Sequence, residues 1–154
     1  MIYLASDHAG FELKESIKTY LKSKGYDVED MGSHQLDPGD DYPDLIYPAA
    51  KKVSETPDSK GIIFGKSGQG EAMVANKVPG IRAAVYYGGP STRSGLEIVK
   101  LSREHNDANI LSIGAGFVFE EEAKNVVEKW LNTEFSGEDR HARRIQKISK
   151  LEDG

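Results

Sequence analysis

The string Gly65-Lys66-Ser67-Gly68-Gln69-Gly70-Glu71 concentrates groups able to do chemistry. Three glycines in six residues let a backbone approach a ligand and turn its N–H groups inward, which is one way to hold an oxyanion or a sugar oxygen. Glu71 follows at once, in the first turn of a short helix, where a carboxylate could serve as general base. A helix N-terminus lowers such a pKa and burial raises it, and the sequence does not decide between them. The plain alternative is a tight turn followed by a favourable N-terminal glutamate. Spacing excludes a nucleotide-binding P-loop. That pattern needs glycine at position 60, where the chain has Lys60, and Gly61 is one residue too close.

Three other segments carry reactive side chains. In Ser6-Asp7-His8-Ala9-Gly10, Asp7 could position a sugar hydroxyl and His8 could bind an anion at the mouth of the next helix. Alternatively, Ser6 or Asp7 simply caps that helix. In Ser102-Arg103-Glu104-His105-Asn106-Asp107, His105 is suited to proton transfer near neutral pH, although a lone histidine is more often structural. His8 and His141 give no metal-like spacing with it, so no metal site is expected. Near the C-terminus Arg140, His141, Arg143, Arg144, Lys147 and Lys150 crowd one segment. Arg140 and Arg144 are four residues apart on one helix face and can grip one phosphate together, unless the face is merely solvated.

The elements that must position these groups follow from periodicity. Ile2 to Ala5 reads as a buried strand, and Phe11 to Lys24 as a helix with Leu13, Ile17 and Leu21 on one face, ended by Gly25. Tyr26 to Glu29 alternates as a second strand, and polar Ser33 to Asp41 is a loop. A helix is expected from about Pro43 to Ser54, kinked at Pro48. Gly61 to Phe64 is a third strand, Gly65 to Gly70 a turn, and Glu71 to Lys77 a short helix stopped by Pro79 and Gly80. Ile81 to Tyr86 is a fourth strand, Gly88 to Ser94 a turn, Leu96 to Glu104 a helix and Asn109 to Ile113 a fifth strand. Glu120 to Leu131 is a strong helix with Ala123, Val126, Val127, Trp130 and Leu131 on one face. Ser136 and Asp139 are spaced like a capping box opening a last helix to Lys150, with Ile145, Ile148 and Leu151 as its apolar stripe.

Strand and helix alternate five times without a repeat or a second compositional zone. That pattern implies one α/β domain, a mostly parallel sheet covered on both faces. Ligands in such sheets bind beyond the carboxyl ends of strands, so the motifs are expected to converge on one edge.

Composition bounds the function. The chain has 154 residues, 38% hydrophobic and 29% charged, enough to bury a core without staples. No run approaches a membrane span, and the N-terminus lacks the basic flank of a signal peptide. Zero cysteines exclude disulfides, thiolate metal sites and a cysteine nucleophile, and suit a reducing compartment such as the cytoplasm. Twenty Lys and Arg against 25 Asp and Glu disfavour a general nucleic-acid binder. The basic C-terminal cluster is therefore read as a local anion site.

Taken in order, SDHAG (6–10), DYPD (41–44), GKSGQGEAMVANKVPGIRAAV (65–85), SREHNDANIL (102–111) and RHARR (140–144) resemble the type B ribose-5-phosphate isomerase family, which includes galactose-6-phosphate isomerase subunits. The likeness runs from Met1 to about Lys150. It implies a Rossmann-like α/β/α sandwich with a five-stranded parallel sheet. It also implies reversible aldose–ketose isomerisation of a phosphorylated sugar, by default ribose 5-phosphate and ribulose 5-phosphate, without metal or organic cofactor. Homodimers, often paired into tetramers, with active sites shared across the interface are implied as well, the last helix (about 137–150) lying at that interface. One branch of the family has a cysteine opening the glycine loop; the other uses a glutamate closing it. Gly65 and Glu71 place this chain in the glutamate branch.

By the same resemblance His105 opens the furanose ring with Asp7 assisting, and Glu71 moves the proton from C2 to C1 through a cis-enediolate. Ser67 and the backbone of Gly68, Gln69 and Gly70 hold the negative oxygen. Asp7, His8 and Asn106 fall at substrate contacts, and Arg140 and Arg144 at phosphate contacts, while Lys66, expected to bind substrate from its place in the loop, could add positive charge near the enediolate or point outward. Three departures stand out. Gly116 replaces an arginine usual in a Gly-x-Arg string after the fifth strand, Lys66 replaces a usual glycine, and the segment from Tyr86 to Lys100 is longer than in compact relatives. These leave open a six-carbon substrate such as allose or galactose 6-phosphate, or a binding protein with weakened catalysis.

Overall fold

The computed structural model describes residues 1–89 and 92–154. Five parallel strands, β1 (Ile2–Ser6), β2 (Val28–Asp30), β3 (Lys60–Gly65), β4 (Ala83–Tyr86) and β5 (Ile110–Gly114), form one sheet in the order β2-β1-β3-β5-β4. Helices α1 (Phe11–Ser23), α2 (Tyr42–Glu55), α3 (Gln69–Ala75), α4 (Thr92–Glu104), α5 (Glu120–Leu131) and α6 (Asp139–Glu152) flank it, with a 3-10 turn at His8–Gly10. This is the expected Rossmann-like sandwich.

The strands are apolar runs because both faces are covered. Successive side chains alternate between two cores. Ile2, Leu4, Ile62, Phe64, Leu111 and Ile113 meet Ile17 and Leu21 of α1 and Val126, Val127 and Trp130 of α5. Tyr3, Ala5, Ile63 and Ile110 meet Ile46, Ala49, Ala50 and Val53 of α2 and Ala75 of α3. The connection after β1 therefore lies on one face and the connection after β3 on the other, so a crevice opens between their carboxyl ends.

Several boundaries differ from the periodicity reading. The second strand is Val28–Asp30, starting two residues later than expected, because Tyr26 still closes the end of α1 through its N–H to Leu21 O. The fourth strand begins at Ala83, not at Ile81, since the Asn109 side chain takes the Arg82 N–H. Helix α2 is Tyr42–Glu55, with Pro48 inside it. The short helix starts at Gln69, after Gly68 in the left-handed region at φ 78°, and ends at Ala75. Helix α4 already opens at Thr92, four residues before the expected start; Pro90 and Ser91 of the expected turn over 88–94 lie outside the described residues. The capping box before α6 does not form. Glu138 is the N-cap, it makes no side-chain cap bond, and Ser136 Oγ instead accepts from the Glu138 N–H.

Candidate functional site

At the carboxyl end of β3 the chain must turn sharply, and Ser112 of β5 helps fix the turn by donating its hydroxyl to Gly68 O at 2.7 Å. Gly68 must be small as well as left-handed. A Cβ there would lie 3.1 Å from Ser112 Oγ and from Gly114 N. Gly70 lies under the Tyr42 ring, 2.7 Å from where its Cβ would be. The loop Lys66-Ser67-Gly68 is thus clamped from both sides, and Gln69, Gly70 and Glu71 follow as the first turn of α3. Ser67 Oγ accepts from the Gln69 N–H at 3.3 Å.

Glu71 is 4% exposed. Its carboxylate rests directly on Gly65: a Cβ at Gly65 would come 1.9 Å from Oε1. Burial pushes the Glu71 pKa up and the charge of Asp7 adds to this, against a hydrogen bond from its own backbone N–H. Burial is the largest influence on this carboxyl, and the net direction is upward. The result is a carboxylate well suited to take and return a proton.

Asp7 does cap the turn that follows β1, as the plain reading had it. Its Oδ1 accepts from Ala9 N at 3.0 Å and Gly10 N at 3.2 Å. Its charge nevertheless reaches Glu71, so the crevice between β1 and β3 holds both carboxyls. His8, beside Asp7, is gripped by Asp40, a residue the sequence reading passed over as part of a polar loop. The potential ligand atoms of Asp7, His8 and Asp40 fall within 4.8 Å of one another. Within the trio His8 Nδ1 is hydrogen-bonded to Asp40 Oδ1, and Asp7 Oδ1 accepts from the backbone N–H groups of Ala9 and Gly10.

Lys66 and Gly116 are in contact. The Gly116 N–H donates to Lys66 O at 2.9 Å, and a Cβ on Gly116 would meet Lys66 O at 3.0 Å and Lys66 Cγ at 3.1 Å. The lysine side chain therefore lies over the position where the usual arginine would begin.

The remaining expected site residues are elsewhere. His105 and Asn106 precede β5, so they lie at the amino ends of the strands; the Asn106 carbonyl accepts from Arg82 Nε, just ahead of β4. A five-residue strand spans roughly 16 Å, which separates them from Asp7 and Glu71 within one chain. The expectation that all motifs converge on one edge is therefore corrected, because α4 carries the chain back to the opposite end before His105. Helix α6 lies across that same end, from His105 to Gly80, whose N–H donates to Glu152 at 3.0 Å. The His141 ring stacks on His105 with centroids 4.1 Å apart and 16° between planes. His141 is buried, which lowers its pKa, helped by His105. Arg140 and Arg144 are exposed beside this pair, Arg140 bonded to Glu138 at 2.9 Å. Asp40, Tyr42, Ser112 and His141 are contributors the sequence reading did not assign. Only Tyr42, inside the DYPD string, and His141, inside the basic cluster, carried any signal.

The sequence profile described as Ribose/Galactose Isomerase matches residues 2–148. A ribose-5-phosphate isomerase B of Mycolicibacterium paratuberculosis is 40% identical over 151 residues, 98% of this chain and 91% of that one. The solved structure of ribose-5-phosphate isomerase B from Mycoplasma genitalium with bound ribulose-5-phosphate superposes with a TM-score of 0.90 at 38% identity, covering 99% of this chain and 95% of that one. A Clostridium thermocellum ribose-5-phosphate isomerase B gives 0.87 at 42% identity, covering 99% and 97%. A family profile over nearly the whole chain, a relative 40% identical along its length and a shared fold agree: the chain belongs to the ribose/galactose isomerase family.

Proposed function

We propose that the protein interconverts ribose 5-phosphate and ribulose 5-phosphate, with Glu71 as the base. The observation that carries this is the buried Glu71 carboxylate seated on Gly65, beside the glycine loop and within the field of Asp7. Relatives at this level of identity bear the ribose-5-phosphate isomerase name, and one holds ribulose-5-phosphate in its structure.

The reaction is redox-neutral overall. After the ring opens, with His105 protonating the ring oxygen and Asp7 taking the proton of the anomeric hydroxyl, Glu71 removes the proton on C2. The electrons flow into the C1 carbonyl, giving a cis-enediolate held by Ser67 and the N–H groups of Gly68, Gln69 and Gly70. The C2 hydroxyl proton passes to the C1 oxygen, and Glu71 returns its proton to C1 as the C2 oxygen becomes the carbonyl. His8, Lys66 and Asn106 contact the sugar phosphate, and Arg140 and Arg144 its phosphate.

Because His105 and Glu71 occupy opposite ends of one chain, the site takes Asp7, His8 and Glu71 from one copy and His105, Asn106, Arg140 and Arg144 from another. The exposed Ile148 and Leu151 of α6, the latter 80% exposed, support a second copy packing on that end. Proton NMR of ribose 5-phosphate in heavy water tests the reading. Ribulose 5-phosphate should appear with deuterium at the exchanged carbon, and the Glu71→Gln variant should do neither. Equal turnover by that variant would remove Glu71 as the base.

A further inference from the structure

The loop ahead of α2 places Asp40 against His8, 32 positions away in sequence. One oxygen of Asp40 makes two contacts: Oδ1 accepts from the His8 backbone N–H at 3.1 Å and from His8 Nδ1 at 2.6 Å. The Asp40 side chain is 13% exposed, and its Oδ2 is buried without a hydrogen-bond partner. The imidazole, by contrast, is 39% exposed. One ring nitrogen is thus tied to a largely buried carboxylate while the ring itself stays open to the site.

This arrangement decides what the other nitrogen can do. A carboxylate accepts, so Nδ1 must carry a hydrogen. Nε2 is then an acceptor if the ring is neutral and a donor if it is charged. The charged groups facing the ring are Asp40 and Asp37 of the loop and Asp7 of the turn after β1. All three are acidic. The hydrogen bond to Asp40 is the main influence raising the His8 pKa, burial works against it, and the other two carboxylates assist.

We propose that Asp40 is a positioning residue for the isomerisation, one that holds His8 by Nδ1 so that Nε2–H is presented to an oxygen of the sugar phosphate. This rests on the reading of His8 as a substrate contact. Asp40 itself touches no substrate and acts through the ring. The largely buried carboxylate sets both the direction of the ring and the hydrogen that Nε2 carries. A neutral side chain of the same shape would keep the first and weaken the second.

The test separates these steps. In the unmodified protein, NMR of the histidine side chains should show His8 protonated at Nδ1 and titrating above the ordinary histidine range. Asp40→Asn, nearly isosteric, should lower that midpoint and raise the KM for ribose 5-phosphate about tenfold, the loss expected for one charge-assisted hydrogen bond. Its kcat should change far less, and the KM defect should grow as the pH rises. His8→Asn should raise KM similarly, and the double variant should be no worse than either single one. If His8→Asn leaves KM unchanged, the substrate-contact reading of His8 is wrong and the proposal falls with it. If His8→Asn raises KM but Asp40→Asn moves neither KM nor the His8 midpoint, the positioning role alone is overturned. A wild-type midpoint at or below the ordinary value would overturn it without any variant.

Discussion

The carboxylate of Glu71 occupies the space that any side chain at Gly65 would need. A Cβ built on Gly65 falls 1.9 Å from Oε1 and 2.0 Å from Cδ of Glu71. A side chain at 65 and a Glu71 carboxylate in this seat are therefore mutually exclusive. Gly65→Ala should push the carboxylate off its seat. Steady-state kinetics should show kcat falling at least about 100-fold with a smaller change in KM, since misplacement by about 1 Å is costly. An unaffected kcat would show that the seat is irrelevant to catalysis.

Replacing Glu71 by Gln should cost turnover about 10²–10⁴-fold while stabilising the fold. Burial raises the Glu71 pKa in the folded state, so its favourable contribution is fully present below the unfolded value and is lost as the pH rises through the folded one. At neutral pH the wild-type protein thus bears the cost of a buried charge. Thermal melts at pH 8 should place the Gln variant above wild type, with the gap closing below pH about 4.5. For the same reason the acidic limb of the kcat/KM profile should lie above the usual glutamate range.

Separation of Glu71 from His105 within one chain leads to a complementation test. Glu71→Gln and His105→Asn should each be inactive as pure proteins. Mixed after subunit exchange, hybrids rebuild one intact site of two, so activity should return to about a quarter of wild type. No recovery, with exchange verified by mass spectrometry, would place both groups in one chain's site.

Lys66 and Gly116 should behave as one unit, because the lysine side chain covers the glycine. Lys66→Gly should raise KM for ribose 5-phosphate about tenfold, the loss of one charged contact. Adding Gly116→Arg to that variant should recover most of it, whereas Gly116→Arg alone collides with Lys66 and should not help. Titration of affinities across the four proteins checks the coupling.

A buried charge cluster away from the site holds α1 to β2. Lys14, fully buried, donates to Asp30 Oδ2 at 2.7 Å, and Lys18 reaches the same oxygen at 2.6 Å. Burial opposes ionisation of Asp30, but the two ammonium groups and the Gly32 N–H outweigh it and hold its pKa at about 2. The pKa is depressed, so the stabilisation is present above the ordinary value of 3.8 and is lost as pH falls toward about 2. Asp30→Ala leaves Lys14 buried without this partner and should cost about 3 kcal/mol, a fall in Tm of roughly 6–12 °C by calorimetry.

Much of this was legible in the one-dimensional chain. Parallel strands buried on both faces are continuous apolar runs, so Ile2 to Ala5 and Gly61 to Phe64 announce themselves. Helix faces such as Ile17 with Leu21 follow from a 3.6-residue repeat, and the glycine loop with Glu71 is a local string. Chemistry that depends on neighbours within a few residues is written locally. What required tertiary structure was each relation between distant segments. Strand order is set by crossovers, so only the fold reveals that β1 and β3 adjoin and bring Asp7 to Glu71. His105 falls between a helix and the start of a strand in the one-dimensional reading too, but only the fold shows how far that amino end lies from Glu71. Asp40 meets His8 through a loop without periodicity, and the sign of the Glu71 pKa depends on how deeply packing buries it. Local propensity acts over a turn or a strand, whereas burial and through-space charge belong to the whole folded arrangement.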